Sequence, residues 1–402
     1  MVLAVHVGML CHAVRVVTLV ALVLGSTASA FAQATSAAPA PAPGPPPAKM
    51  KLLDRIKEPD QGGGLHFTKH WAIVFGGIKS GSGAALGPAF SNKFENGGYF
   101  QAKALYSIRR FRLLQARYDT QTFWKDRALL TSRIRWQDAP KLDLYALGPD
   151  SPDLNVDYAE RRSDATTRLR LQFNPAVHMA MGFGVERYST KNGRIDLVND
   201  PALPEQPLMP GLGTRPWYAH SFISGTHDSR TTPGYSRRGH LLEGTIHSFN
   251  DVNDGQPPFG RFEGVAEQLI PTNGAKGVIG LSVQTWLSLS SGARAVPFFL
   301  MPLLGGSSNL MAFPSYRFRD RHALALRGEY RWAVHKMIDV AGVGEIGTVA
   351  ARVGDLGLGD APTSIAAGIR VHSKTSSLVN LDLAHGREGF RLVLGFSSGG
   401  GS

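Results

Sequence analysis

From Trp71 to the C-terminus, hydrophobic and polar residues alternate in segments of about ten residues that are separated by turn residues. In ALALRGEYRW, residues 323–332, Leu324 and Leu326 fall on one face and Arg327 and Glu329 on the other. The same alternation recurs in TTRLRLQF, VHMAMGFGVERY, SLVNLDLA and FRLVLGF. Because side chains of an extended strand point to opposite faces in turn, this pattern predicts a chain of two-faced β-strands.

The predicted strands are joined by links of two kinds. Short links are expected at 109–110, 138–140, 174–176, 271–274, 333–336 and 373–376, with a slightly longer one at 228–238. Longer loops, such as 191–215 and 288–321, alternate with them. Seven turns and eight loops make fifteen connections, which predicts about sixteen strands and two chain ends on the same side. Short turns at one end and longer loops at the other are typical of outer-membrane barrels.

The polar face of the predicted strands is rich in charge. Its members are Lys103, Arg117, Arg133, Arg135, Arg168, Arg170, Arg327, Arg331, Arg370, Asp143, Glu243, Glu263, Glu267, Glu329 and Asp382. A soluble sandwich would have to bury the opposite, apolar face. In a barrel in lipid the apolar face meets acyl chains and the charges line a wet lumen. We therefore predict an all-β fold, a transmembrane antiparallel β-barrel of about sixteen strands.

The N-terminus has the features of a secretory signal. Arg15 precedes an apolar run at 16–24, and small residues up to Ala32 fit a cleavage site, which predicts a signal peptide at 1–32. The alternative, a membrane anchor, would need a longer apolar run. The only cysteine, Cys11, lies inside this signal. Its position excludes disulfides, cysteine metal sites and a thiol nucleophile from the mature chain.

Three further regions follow the predicted signal. Residues 33–64 form a linker rich in alanine and proline. Within it, Leu53 and Ile56 are spaced for a short amphipathic turn, and a disordered tether is the alternative. The barrel is expected over 65–397 and a flexible tail over 398–402.

The charge balance is strongly basic, with a formal net charge of +12. Such a charge fits either nucleic-acid binding or a basic lumen with loops that face anionic lipid headgroups. An exported protein rarely meets nucleic acid, so we expect no nucleic-acid partner. The expected partners are the outer-membrane lipid bilayer and its lipopolysaccharide.

Familiar catalytic motifs are missing from the sequence. The run KSGSGAALG lacks the spacing of a G-x-S-x-G nucleophile elbow, and neither a phosphate-binding loop nor an H-E-x-x-H zinc motif occurs. The 13 histidines are dispersed, which favours loop or lumen positions over metal ligation. We expect a protein that is not an enzyme, without catalytic residues, cofactor or metal. A site assembled from distant residues at the rim of the lumen is the alternative.

Six runs of sequence follow one another in a recognisable order. They are FGGIKSGSGAALGPAF (75–90), GTHDSRTTPGYSRRGHLLEG (225–244), PFFLMPLLGGSSNLMAF (297–313), RFRDRHALALRGEYRW (317–332), AAGIRVHSKTSSLVNLDLAHG (366–386) and FRLVLGFS (390–397). In this order they resemble the BamA/TamA superfamily of outer-membrane barrels, the bacterial surface antigen family. The resemblance covers about 71–397 and implies a role in protein insertion or transport.

The resemblance also implies a long sixth extracellular loop. In the superfamily the loop has an Arg-Gly-Phe/Tyr core, whose arginine enters the lumen and pairs with acidic residues of strands twelve and thirteen. The aligned loop residues of this chain are Leu310, Met311, Ala312 and Phe313. Met311 thus takes the position of the arginine, and Glu329 and Glu345 stand where its acidic partners would be.

A buried carboxylate without a cation is costly, so another residue should neutralise these two. Arg317 and Arg319 are close to the loop motif in sequence and are the candidate replacements. The expected lumenal partners of the loop are Glu329, Glu345, Arg317, Arg319, Arg327 and Arg331. The alternative is a loop that is solvated outside the barrel.

The resemblance departs from the superfamily at the N-terminal side. Its members usually carry POTRA domains ahead of the barrel, and these domains receive client polypeptides. The stretch 33–70 is shorter than one such domain. We therefore expect a barrel apparently without POTRA domains.

The barrel is expected to close by pairing its first strand, near 71–79, with its last, 390–397. Glycine-rich ends pair less firmly because glycine costs entropy and offers no packing. The expected seam residues are Gly76, Gly77, Gly395 and Phe396. In the superfamily, this seam is where a client strand enters.

Three functions remain open from the sequence. The first is an accessory role in protein insertion or transport at the cell outer membrane, with a client polypeptide bound at the lateral seam by strand addition. The second is a solute-conducting pore that prefers anions. The third is a structural surface antigen. In each case we expect a monomeric barrel.

Overall fold

The computed structural model describes residues 64–396, except for 152–155, 193–208, 291–295 and 374–375 and the single residues Pro233, Asp254, Gln256 and Ala275. The predicted signal peptide at 1–32, nearly all of the predicted linker and the predicted tail at 398–402 lie outside the described residues. In the part of the chain that the structure describes, no helix is long and apolar enough to span a membrane.

Sixteen strands follow one another in a single sheet. They are β1 (Trp71–Gly76), β2 (Ala85–Lys93), β3 (Tyr99–Ser107), β4 (Arg112–Asp119), β5 (Ala128–Leu144), β6 (Val156–Gln172), β7 (Val177–Asn192), β8 (Trp217–Asp228), β9 (Gly239–Asp251), β10 (Phe259–Thr272), β11 (Gly277–Leu289), β12 (His322–His335), β13 (Ile338–Ala350), β14 (Thr363–His372), β15 (Ser377–Gly386) and β16 (Gly389–Phe396). Each pairs in antiparallel fashion with its neighbours along the chain. The predicted all-β antiparallel fold of about sixteen strands is confirmed.

A few short elements accompany these strands. A three-residue strand, Gly64–His66, joins the same sheet next to β1. Inside the connection between β11 and β12, Leu303–Leu304 pairs with Phe318–Arg319. Single 3-10 turns occur at Phe298–Leu300 and Val353–Asp355. The predicted long connection before the twelfth strand thus has internal structure of its own.

The connections divide between the two ends of the sheet. One end, called the loop end, carries the long connections 193–216 and 290–321. The opposite end, called the turn end, carries mostly short ones, such as 173–176 and 273–276. This alternation of long and short links agrees with the pattern expected from the sequence.

Two of the predicted short links are wrong in position. At 138–140 the strand β5 continues, because an irregular register between Ala139 and Leu142 forms a bulge that accommodates Pro140, a residue without an N–H to donate. The link at 109–110 is tight as predicted, but it lies at the loop end. The turn end instead has links at 94–98 and 120–127, which the hydrophobic pattern did not mark as turns.

The height of the wall varies around the barrel. β5 and β6 have 17 residues each, whereas β1 has 6 and β16 has 8. On β16 the outward side chains Phe390, Leu392 and Leu394 are all more than half exposed. On β5 to β7 the outward residues are apolar only toward the turn end, as at Ile134 and Phe183.

Candidate functional site

The connection 290–321, called the sixth loop, folds into the lumen at the loop end. In its first half, Phe298 and Phe299 pack on Tyr158 and Tyr188 of the wall, each pair with ring centroids 4.9 Å apart. These rings belong to one buried cluster. It also contains Tyr218, Phe249 and Phe259, which lie at the loop end of β8, β9 and β10. The alternative of a loop solvated outside the barrel is therefore wrong.

The second half of the loop carries the motif Leu310–Phe313, which is buried. Its four side chains are at most 4% exposed, and they pack with Ala323 and Val393 on the inner wall. A left-handed glycine, Gly305 (φ 105°), turns the chain ahead of the motif. A Cβ atom at Gly305 would lie 2.3 Å from the carbonyl oxygen of Pro314, so only glycine fits this turn.

Main-chain groups of the motif bind polar side chains of the wall. The N–H of Met311 donates to Glu345 Oε2 over 2.7 Å, and the N–H of Ala312 donates to Ser364 Oγ over 3.0 Å. Arg391 donates to the carbonyl oxygen of Met311 over 3.3 Å. Main-chain groups of Met311 and Ala312 thus anchor the loop to β13, β14 and β16.

Arginines of the wall itself neutralise the two predicted carboxylates. Arg327 lies between them, with 3.0 Å from Nη1 to Glu345 and 2.9 Å from Nη2 to Glu329. Arg370 lies 3.2 Å from Glu329 and 2.7 Å from Asp382. Glu329 and Glu345 therefore each have a cation from the wall and need none from the loop.

Arg317 and Arg319 have other partners, which corrects the hypothesis that they replace the missing arginine. Arg317 Nε lies 2.6 Å from Glu388, and its guanidinium lies 5.0 Å from the centre of the Tyr145 ring. Arg319 is 1% exposed and lies 5.0 Å from the centre of the Phe298 ring. Each guanidinium group thus lies near an aromatic ring, whose face attracts a cation.

Arg331 contacts the turn end of the barrel, and this corrects its predicted role as a partner of the sixth loop. It donates to the carbonyl oxygen of Ser236 over 2.6 Å and lies 4.6 Å from the centre of the Tyr235 ring. Tyr235 and Arg237 both donate to Asp339 Oδ2, over 2.7 and 2.8 Å. Burial raises the pKa of Tyr235, which keeps its hydroxyl protonated as a donor. The connection between β8 and β9 therefore folds inward as far as β13.

Predicted seam residues occur at both ends of the sheet. Gly76 ends β1, Gly77 follows it, and Gly395 pairs with Asn380 on β15. β1 and β16 are the first and the last of the sixteen strands. Within the described residues, no strand pairing in register joins the two. Phe396 is the last residue of β16.

The outer edge of β1 has a partner of its own. Ala72, Ile73 and Val74 pair with β2 through Ala89, Pro88 and Gly87, and the same three residues pair with His66, Leu65 and Gly64. One residue can pair with two strands only through its two opposite edges. The strand Gly64–His66 therefore lies on the seam side of β1.

Beyond β1 the chain turns into the lumen. β1 ends at Gly76, earlier than the predicted end at Lys79. Lys79 forms an ion pair with Glu160 on β6 at 2.5 Å. Burial lowers the pKa of Lys79, and the nearby carboxylate opposes that shift.

Three side chains that hold the loops were not identified from the sequence. Ser364 and Arg391 bind the sixth loop, and Asp339 binds the turn between β8 and β9. Alternation along their strands could have placed them on the inner face. The partners could not be found that way, because they are loop atoms distant in sequence.

Four histidines of the wall form two pairs. His220 Nε2 lies 2.9 Å from His247 Nδ1, and His227 Nδ1 lies 2.9 Å from His240 Nε2. The spacing of histidines along the chain did not show these pairs, which form across neighbouring strands. Across the described ranges of the chain, no group of three or more His, Cys, Asp or Glu side chains is arranged to hold a metal ion.

These features define a β-barrel of the outer-membrane type, with a long loop inside its lumen. The fold is similar to that of BamA from Haemophilus ducreyi, in a crystal structure lacking POTRA domains 1–3, with a TM-score of 0.60 and 13% identity over 81% of this chain and 69% of that chain. This likeness confirms, at the level of the fold, the resemblance found in the sequence.

Two other outer-membrane barrels are similar at lower scores. CdiB from Escherichia coli has a TM-score of 0.49 and 14% identity, over 82% of this chain and 60% of that chain. Wzi from Escherichia coli, an outer membrane protein involved in group 1 capsule assembly and a carbohydrate binding β-barrel, has a TM-score of 0.31 and 9% identity, over 79% of each chain. No protein-family model and no curated protein matches the sequence.

Proposed function

We propose that this protein resides in the outer membrane and assists the insertion or transport of other polypeptides, with a client strand pairing at the outer edge of β1. The observation that carries the proposal is the strand Gly64–His66, because its register on Ala72, Ile73 and Val74 indicates an edge that accepts an extended segment. Strand addition draws its affinity from main-chain hydrogen bonds, so one edge can take segments of differing sequence.

The strand β16 provides a second edge at the same seam. It pairs with β15 over the eight positions from Val379↔Phe396 to Gly386↔Gly389. An unpaired strand edge presents a row of N–H and C=O groups, which is a template for another strand. The likeness of the fold to BamA supports a membrane setting for this seam.

A pore that prefers anions is the second function suggested by the basic lumen. The cluster around Phe298 and Phe299 fills the loop end of the lumen and argues against a steady pore. A structural surface antigen, the third function, needs no free strand edge. The pore and the surface antigen therefore predict no client strand at the edge of β1, whereas the proposal requires one.

Cysteine crosslinking tests the proposal. The variant Ile73→Cys places a thiol on β1, whose outer edge is covered only by the three residues Gly64–His66. The control Ile223→Cys places one on β8, between the long strands β7 and β9. The client probe is a newly synthesised outer-membrane barrel protein with a single cysteine in its last strand. We expect crosslinks from Ile73→Cys and none from the matched Ile223→Cys.

Deletion of the strand that pairs with the outer edge of β1 makes this test more specific. Deletion of Gly64–His66 should increase the crosslinking yield at Ile73→Cys, because the edge is then unoccupied. Equal crosslinking at both positions, or none at either with undisturbed export in a deletion strain, would contradict an assembly role and favour a surface antigen. A steady anion-selective conductance would favour the pore.

A further inference from the structure

Five basic residues line the inner face of β3 to β6 on the turn-end side. This group, called the cationic wall, consists of Lys103, Arg117, Arg133, Arg168 and Arg170. In the register of β4 and β5, Arg117 stands directly opposite Arg133. Like charges in directly opposed positions destabilise a sheet, so this arrangement has a cost to folding.

The acidic residues nearby are already engaged. Asp119 lies 2.9 Å from Arg117 and accepts a hydrogen bond from Thr131 over 2.6 Å. The fully buried side chain of Asp164 forms ion pairs with three arginines: Arg135 at 2.6 Å, Arg162 at 3.1 Å and Arg133 at 3.5 Å. In the described part of the chain, neither Lys103 nor Arg170 forms an ion pair. Lys103 and Arg170 therefore give the cationic wall positive charge that Asp119 and Asp164 do not offset.

The opposite side of the lumen has no such excess. On β12 to β15, Arg327 and Arg370 each pair with two carboxylates at 2.7–3.2 Å. The two sides of the described lumen therefore differ in how far their arginines are paired with carboxylates. A uniform solvated lining would not produce this difference between the two sides.

The cationic wall is accessible to water and to solutes. The side chains of Arg117 and Arg133 are 42% and 36% exposed, and Arg170 is exposed as well. The sixth loop fills the loop end of the lumen. Approach is therefore from the turn end, the end toward which the cationic wall lies.

We propose that the cationic wall binds an extended acidic segment of a polypeptide that enters the lumen from the turn end. Neighbouring strands are about 4.8 Å apart and same-face residues along a strand about 6.8 Å, so the cations form a lattice with these spacings. Carboxylates on one face of an extended peptide have the same repeat of about 6.8 Å. Arginine forks and carboxylates match in geometry and charge. This inference is independent of the seam, and it holds for the barrel whatever its clients at β1.

Fluorescence anisotropy with a labelled octaglutamate peptide tests the inference on the purified full-length barrel in detergent. The test variant is Arg117→Gln/Arg133→Gln. The matched control is Arg161→Gln/Arg187→Gln, which removes the same charge from the outer face near the loop end. We expect saturable binding that weakens with salt, a Kd raised about fivefold or more in the test variant, and an unchanged Kd in the control.

Several outcomes would overturn the inference. One is the absence of saturable binding of octaglutamate by the unmodified barrel. Another is an equal loss of affinity in both double variants, since this would indicate general attraction to a basic protein. A third is tighter binding of a single-stranded oligonucleotide of the same length, which would assign the cationic wall to phosphates. Circular dichroism and the heat-dependent gel shift verify that both variants are folded. A loss of peptide binding can then not be attributed to unfolding of the barrel.

Discussion

At the scale of single residues, Met311 takes the position where the resemblance in sequence predicts an arginine. An arginine at this position would pair with acidic residues of the wall, but here its main-chain N–H binds Glu345 while its side chain is buried among apolar neighbours. Arg327 supplies the neutralising charge from the wall. The neighbouring Leu310 has φ of 47°, a left-handed conformation that costs about 1–2 kcal/mol and is maintained by the packing around it.

The variant Met311→Arg should destabilise the sixth loop. It would bury a second cation where Glu345 is already paired, and we expect a loss of about 1–3 kcal/mol in the free energy of unfolding. The control Met311→Leu keeps size and polarity and should change little. The measurement is trypsin sensitivity of the loop together with the temperature of the gel shift. A more stable Met311→Arg barrel would mean that the superfamily's pairing can be restored here.

At this scale the sequence indicated which positions matter, but it did not indicate which groups contact them. It identified Met311 as the altered position, and it identified Glu345 as a carboxylate in need of a partner. It failed for Arg317, which we expected to supply the charge. A main-chain N–H has no signature in a sequence, and alternation along β12 shows only that Arg327 faces inward, not which carboxylate it meets.

At the scale of elements, the connection between β8 and β9 depends on one buried carboxylate. Asp339 on β13 is 0% exposed and accepts hydrogen bonds from Tyr235 and Arg237. His372 on β14 lies 3.2 Å from the same carboxylate. Three elements that are separate in sequence therefore meet at a single side chain.

The variant Asp339→Ala should release this connection. The variant removes the acceptor that Tyr235 and Arg237 share, which we expect to cost about 1–3 kcal/mol. Trypsin should then cut after Arg237 or Arg238 in the folded barrel. The control Asp138→Ala removes a carboxylate from a surface ion pair with Arg161 and should cost about 1 kcal/mol or less. Resistance of Asp339→Ala to trypsin would show that the connection is held by other contacts.

Strands were easier to predict than their ends. Alternation was sufficient for β12 and β15, where most outward positions are apolar. It failed at 138–140, because Asp and Pro are common in turns and a bulge within a long strand has the same composition. It also placed the end of β1 too late, because glycine and serine fit a strand or a loop equally well in such a run.

At the scale of the whole molecule, the two ends of the lumen differ. Aromatic and aliphatic side chains fill the loop end, while the turn end is lined by charges. We expect no steady conductance from the barrel in a planar bilayer. The double variant Phe298→Ala/Phe299→Ala should produce frequent openings, because it removes the two rings that contact Tyr158 and Tyr188. A steady current through the unmodified barrel would contradict this expectation.

The unequal height of the wall determines which strands a molecule outside the membrane can contact. A strand of 17 residues rising about 3.3 Å per residue at a tilt of roughly 40° spans about 43 Å, against an apolar band of about 25 Å. The eight residues of β16 span about 20 Å by the same estimate. In an outer membrane, β5, β6 and β7 therefore stand above the lipid as a crest, while the strands beside the seam remain within it. An antibody or a phage that approaches from outside would meet this crest and not the seam.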